Sequence, residues 1–150
     1  MKYDSEKETK THIWIVCGFL VKFALEILKR CNSHDSSKLQ KPEKPVYDEF
    51  TPKLRESTYG SDEYKAILKE IGPALKHHYE NNSHHPEHFE NGVNGMTLLD
   101  LIEMLADWKA ATLRHDDGDI QKSLKINKER FGISDQLSEI FENTIKEMGW

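Results

Sequence analysis

From Ile13 to Leu28 the chain is apolar at nearly every position, and Ile13, Val16, Leu20, Phe23, Ala24 and Ile27 recur there at helical spacing. That period belongs to an α-helix and not to a strand. The first helix is therefore expected from about Ser5 to Arg30, broken by Asn32 and Ser33, with Ser33 placed to cap the next helix. Lys22 and Glu26 interrupt the run, which falls short of the ~20 apolar residues that a membrane span needs. A buried core helix is expected, with no membrane partner. The run also lacks a net basic n-region and a small-residue cleavage site, so it does not read as a signal peptide.

The rest of the chain carries the same period. A short helix is expected over His34 to Leu39, then an irregular connection from Lys41 to Pro52, where Pro42, Pro45 and Pro52 cluster. Glu63 to Tyr79 reads as a helix with Pro73 at a kink or boundary. Asn81 to Gly95 is polar and reads as a loop. Thr97 to Leu113 reads as a buried helix, apolar nearly all round, with Thr97 and Asp100 in capping-box spacing. A turn over Asp116 to Asp119 and two helices, about Ile120 to Arg130 and Ser134 to Met148, complete it. No alternating strand is found. The expected fold is all-α, a compact helical bundle in a single domain over residues 1–150. A chain of 150 residues can bury a core without disulfides. Cys17 and Cys31 lie fourteen apart on one expected helix, about 21 Å at 1.5 Å per residue, too far to pair. A reducing cytoplasm is the simple reading. The net charge of −5 argues against a long nucleic acid as partner.

Against this ordinary background the histidines stand out: five of the eight fall between His77 and His88. Imidazole is the commonest protein ligand for a transition metal, and packing does not explain such crowding. His77 and His78 point about 100° apart on a helix, so one of the two is expected to face a site. His12 sits three, four and seven residues before Ile15, Val16 and Phe19, on the apolar face of its helix. Its ordinary account is a core histidine bonded to a carbonyl. His34 and Asp35 form a pair just past the helix break. Lys38 lies one turn beyond Asp35 and can hold a phosphate oxygen, or be a solvated lysine. Asp100, Glu103 and Asp107 share one helix face. Asp100 has a role as a cap and Glu103 can pair with a lysine. Asp107 is mid-helix with no such account, which makes it the best candidate for a buried acidic ligand.

In this order the elements resemble the HD superfamily of metal-dependent phosphohydrolases, whose motif is a His on one helix, a His-Asp pair on the next and an Asp on a later helix. The segment His34-Asp-Ser-Ser-Lys38 is similar to the His-Asp-x-x-Lys of the binuclear cyclic-dinucleotide phosphodiesterases, His84-His85-Pro86-Glu87 to their paired histidines, and Leu105-Ala-Asp-Trp to their last ligand. The Gly-Tyr-Pro signature of that branch is absent, with Asn91-Gly-Val-Asn-Gly in its place. His78 and His84 are also only six residues apart. A closer likeness is to a group of small HD-like proteins of bacteria and their phages, which share the His-Asp-x-Ser-Lys, Asn-x-His-His-Pro-Glu-His and Asp-Leu-Ile-Glu-Met-Leu-x-Asp-Trp runs. The likeness extends from about His12 to Arg130.

The resemblance implies that His12, His34, Asp35 and Asp107 hold one divalent metal, with His78, His84 and His85 on a second and Asp35 bridging. Such ligands suit Mn, Fe, Co, Ni or Zn, one or two per chain. It implies hydrolysis of a phosphate ester, most simply a nucleotide or nucleotide-derived small molecule. Asp35, Lys38 and Glu103 would be catalytic, with Glu103 or a spare histidine as the acid, and Lys38 and Arg114 would hold substrate. Two other functions stand beside it: a di-iron oxygenase on the same fold, and a non-catalytic protein that binds metal and sequesters a nucleotide. The apolar face of the first helix and Trp150 leave room for a homodimer.

Overall fold

A computed structural model describes residues 4–56, 61–114 and 118–150. Among them are six α-helices, three short 3-10 turns and no strand, so the all-α expectation holds. Backbone contacts divide the chain into two units, the first ending at His34 and the second running from Asp35 to Trp150.

The first unit is one helix, α1 (Glu6–Ser33). Asn32 and Ser33 do not break it; their side chains bond back to the carbonyls of Leu28 and Lys29 within its last turn. The expected buried core helix is not observed, since none of the residues of α1 is buried. The physical reason lies within the unit: a single helix has no second surface against which to bury an apolar stripe. An 18-residue window of this segment has a mean hydropathy of 1.7. By length and composition it could therefore cross a membrane, a test that core helices of soluble proteins also pass.

In the second unit, a 3-10 turn at Ser36–Leu39 leads into α2 (Glu43–Glu56). The proline-rich segment is thus a helix and not the irregular connection expected. Pro45 lies in the first turn, where the missing N–H has no intrahelical acceptor to lose. Pro52 sits inside the helix, which continues past it. Val46, Tyr47, Phe50 and Leu54 form its apolar face, and they meet Ile67, Ile71, Ala74 and Leu75 of α3 (Asp62–Asn81). Helix α3 likewise runs through Pro73.

Two more 3-10 turns, Pro86–His88 and Gly92–Gly95, shape the polar loop. Gly95 is required there, because a Cβ at that position would stand 2.7 Å from Cβ of Phe89. Then come α4 (Leu98–Thr112), α5 (Ile120–Phe131) and α6 (Asp135–Glu147). Met104, Leu105 and Trp108 of α4 pack with Ile120 and Leu124 of α5 and with Phe141 and Ile145 of α6. Helix α4 is not buried all round: Leu98 and Ile102 on its other side are exposed. Gly132 ends α5 in the left-handed conformation, and its N–H reaches the Lys128 carbonyl. Asp119 caps α5 and Ser134 caps α6. His115 and Asp116 lie outside the described residues.

The second unit therefore has two apolar clusters, one between α2 and α3 and one among α4, α5 and α6. The polar loop joins them, and the histidine cluster lies along it.

Candidate metal centre

Asp35 is the sole non-glycine residue with left-handed backbone among the described residues, at φ 55°. Aspartate tolerates this region better than most side chains, because its short polar group bonds locally. Here Lys38, one turn on, donates from Nζ to Oδ2 at 2.6 Å, and the Lys38 N–H donates to the Asp35 carbonyl at 2.9 Å. Oδ2 is thereby occupied, and Oδ1 faces the histidines.

The last turn of α3 supplies His77 and His78. The rings diverge as neighbours on a helix must: His78 is buried, and the His77 side chain is 37% exposed. Asn82 closes this end of the helix, donating to the His78 carbonyl and to Ser37 Oγ at 2.8 Å each. The chain then turns at Ser83, whose hydroxyl donates to Asp100 Oδ1 at 2.6 Å. Asp100 is buried. Its other oxygen accepts from the Thr97 N–H at 2.8 Å and the Thr97 hydroxyl at 2.6 Å, completing the capping box of α4. One carboxylate thus fixes both the start of α4 and the loop that carries His84 and His85. Pro86 then fixes the backbone at the start of the next 3-10 turn.

Four side chains converge as a result. His78 Nε2 stands 3.2 Å and His84 Nε2 3.5 Å from Asp35 Oδ1, and His78 Nε2 stands 2.9 Å from His85 Nε2. All four potential ligand atoms lie within 4.8 Å of one another. The far sides of two rings are held by carboxylates: His78 Nδ1 is 2.9 Å from Glu43 Oε2, and His84 Nδ1 is 3.3 Å from Glu103 Oε1. Asp107, one turn beyond Glu103 on α4, brings a carboxylate oxygen within 4.8 Å of one of Asp35.

The electrostatics follow from this crowding. Burial pushes the Asp35 carboxyl up, but hydrogen bonds from His78, His84 and Lys38 outweigh it and hold the group well below the usual carboxylate range. Burial also pushes Glu43 up, and bonds from His77, Ser37 and His78 bring it below its ordinary value. Burial, then the neighbouring His84 and His78, lower His85 to about 3, so its ring is neutral near pH 7. Burial and the Glu43 charge raise Tyr47.

These residues suit a divalent transition metal. With Nδ1 directed at the Glu43 carboxylate, His78 turns its Nε2 toward Asp35 and His85. His84 is arranged likewise toward Asp35. Lone pairs at such separations repel unless protons or a cation stand among them. Metal–nitrogen bonds of about 2.0–2.1 Å set neighbouring ligand atoms about 2.9–3.4 Å apart for right-angled to tetrahedral arrangements, and the observed separations are 2.9, 3.2 and 3.5 Å. The carboxylate behind an imidazole is the usual outer support of such a ligand.

The structure thus brings Asp35, His78, His84 and His85 together, with Lys38 on Asp35, Glu103 behind His84 and Asp107 near Asp35. His88 does something else: its Nδ1–H donates to the Tyr79 carbonyl at 2.8 Å. Arg114 is exposed in the turn after α4. His12 is exposed on α1 rather than turned into a core, and the His34 N–H ends α1 by donating to the Arg30 carbonyl at 2.8 Å. Both belong to the first unit. Sequence reasoning missed Glu43, because the prolines around it masked a helix; the spacing of Val46, Tyr47, Phe50 and Leu54 was the available signal.

No curated protein and no solved structure matches this chain. One protein family does, over residues 1–147, and the chain belongs to it: its description is "Family of unknown function (DUF5662)".

Proposed function

We propose that this protein is a hydrolase of phosphate esters that depends on a divalent transition metal and acts on a nucleotide or a nucleotide-derived small molecule. The observation that carries the metal part is the convergence of three imidazole nitrogens and one carboxylate oxygen, two of the rings backed by carboxylates. The phosphate part rests on the resemblance to the HD phosphohydrolases and on Lys38 beside Asp35.

His78, His84, His85 and Asp35 would hold the ion. A metal so bound supplies an acidified water and charge neutralisation at phosphorus. The chain's own residues do the rest. Lys38 Nζ, 35% exposed at the side chain, offers its remaining donors to a phosphoryl oxygen while Asp35 anchors it. Glu103 orients His84 by accepting from Nδ1, which makes it a positioning residue before it is an acid. Asp107 adds a second carboxylate near Asp35 that can take a proton or a further ligand role. Arg114, two helical turns after Asp107 in sequence and exposed, would contact a substrate phosphate.

The test is a metal assay and a substrate screen on the full chain. The metal-free protein, supplied with Mn, Co, Ni or Zn, is expected to release phosphate or a monoester from one class among nucleotides and cyclic dinucleotides. His84→Ala and Asp107→Ala should lower that rate by two orders of magnitude or more, on the order of the loss of a ligand or an acid–base group. Two irons per purified chain with a charge-transfer band, and no hydrolysis, would favour the oxygenase. Metal content and activity unchanged in His84→Ala would refute the assignment.

A further inference from the structure

Glu43 is fully buried at the first position of α2, with a relative exposure of 0%. The apolar cluster between α2 and α3 already accounts for the packing of those helices. A buried carboxylate is costly unless it is hydrogen-bonded, so the residue needs a reason to be acidic. Both of its oxygens face imidazoles: Oε1 lies 2.7 Å from His77 Nδ1 and Oε2 lies 2.9 Å from His78 Nδ1. One carboxylate spans two rings that diverge on the same helix.

We infer that Glu43 is a positioning residue that holds His78 with its proton on Nδ1, so that the Nε2 lone pair faces Asp35 and His85, and that His77 is the outer clamp on Glu43. This rests on the metal reading above. Two other polar atoms stand near His78 Nδ1: Asn82 Nδ2 at 3.1 Å and Ser37 Oγ at 3.2 Å. The Asn82 amide already gives its two hydrogens to Ser37 Oγ and to the His78 carbonyl. Glu43 Oε2 is therefore the nearest acceptor and the charged one. Ser37 also bonds the Glu43 carboxylate, and His77 with it limits rotation of Glu43 off His78. His77 holds the other oxygen, from a ring that is partly in solvent. His77 thus acts on the centre from outside it, through Glu43, which accounts for a second histidine beside His78 that does not itself face the cluster.

Two readouts test this on the full chain. In metal-free protein labelled with nitrogen-15 at histidine, long-range proton–nitrogen spectra report which nitrogen of His78 carries the proton. Nδ1–H is expected in the wild type, and a mixture of tautomers in Glu43→Gln. Titration with cobalt, followed by its visible absorption, is expected to give affinity lower by about 10–100-fold in Glu43→Gln, a smaller loss in His77→Gln, and partial recovery in Glu43→Asp. A wild-type His78 protonated at Nε2 alone would overturn the inference, as would unchanged cobalt affinity and band shape in Glu43→Gln. If Glu43→Gln fails to fold, the wild-type tautomer and His77→Gln still decide. Absence of cobalt binding by the wild type would refute the metal reading itself, while the tautomer spectrum would still report separately on Glu43.

Discussion

Asp35 carries two demands at once: a left-handed backbone and a carboxylate aimed at three imidazoles. They separate by substitution. Asparagine accepts the backbone but gives up the charge. Alanine gives up the charge and also the short polar group whose local bonds offset the strain, about 1–2 kcal/mol, of a Cβ in that region. Asp35→Asn is therefore expected to keep its helical circular dichroism while metal per chain falls to background, and Asp35→Ala to lose the same metal with a further drop in thermal midpoint. Equal metal retention by both, measured by elemental analysis, would refute the role of Asp35. At this scale the sequence was informative where a residue type is scarce and chemically pointed. The crowding of His78, His84 and His85 was visible as composition. Which of the neighbours His77 and His78 turns inward was not, because that depends on the rotation of α3 against α2. Glu43 was invisible as a partner because its histidines lie 34 and 35 positions away. No local pattern ties such residues together.

Among the elements, α4 was legible to within a residue or two because its start carries a capping box that a sequence displays directly. Its additional duty was not legible: Asp100 also holds Ser83, seventeen residues back. Removing that carboxylate takes away the reciprocal half of the capping box, the bonds from the Thr97 N–H and hydroxyl, and also the acceptor of the Ser83 hydroxyl bond. Each effect is typically worth about 1 kcal/mol. Asp100→Ala is thus expected to destabilise by about 2 kcal/mol in chemical denaturation and also to weaken metal binding, since His84 follows Ser83 directly. A stability loss with metal affinity intact would show that the loop holds its shape without Asp100. Helix α2 was misread for the opposite reason, because three prolines outweighed a sound apolar repeat. Where α5 gives way to α6, Lys128 donates to Asp135 at 2.6 Å across the turn. That bond holds Asp135 below its ordinary value. A lowered folded pKa means that the unfolded chain binds more protons, so this stabilisation is present above the unfolded value and is lost as pH falls through the folded one. Asp135 is exposed, so the effect is small. The thermal midpoint of Asp135→Asn should lie slightly below that of the wild type near neutral pH and converge with it in acid; a constant offset at all pH values would exclude the ion pair as its source.

On the scale of the molecule, the all-α architecture followed from a helical period in most segments, but the exposure of α1 did not. An apolar run signals burial without saying against what, and α1 shows none within its own unit. The second unit poses a sharper question. Its two apolar clusters share no residue, and the segment between them is a polar loop with short 3-10 turns. Asp35 and His78 belong to the side of α2 and α3. His84 and His85 sit on the loop tied to α4 through Asp100 and Glu103. An ion on these four ligands would join the two sides, and it would bind the folded chain alone, because the unfolded chain scatters them over fifty residues. Metal at about 100 times its dissociation constant then adds about 2.7 kcal/mol, or roughly 5–10 °C in thermal midpoint for a chain of this size. Calorimetry of metal-free protein should show a broad transition as the two clusters melt with weak coupling. Added Mn, Co, Ni or Zn should raise the midpoint and sharpen the transition, and a chelator should reverse both changes. Magnesium, which prefers oxygen ligands and retains its water, should do neither. A midpoint and width indifferent to all of these ions would mean that the polar loop couples the two clusters unaided and that the four side chains bind no metal.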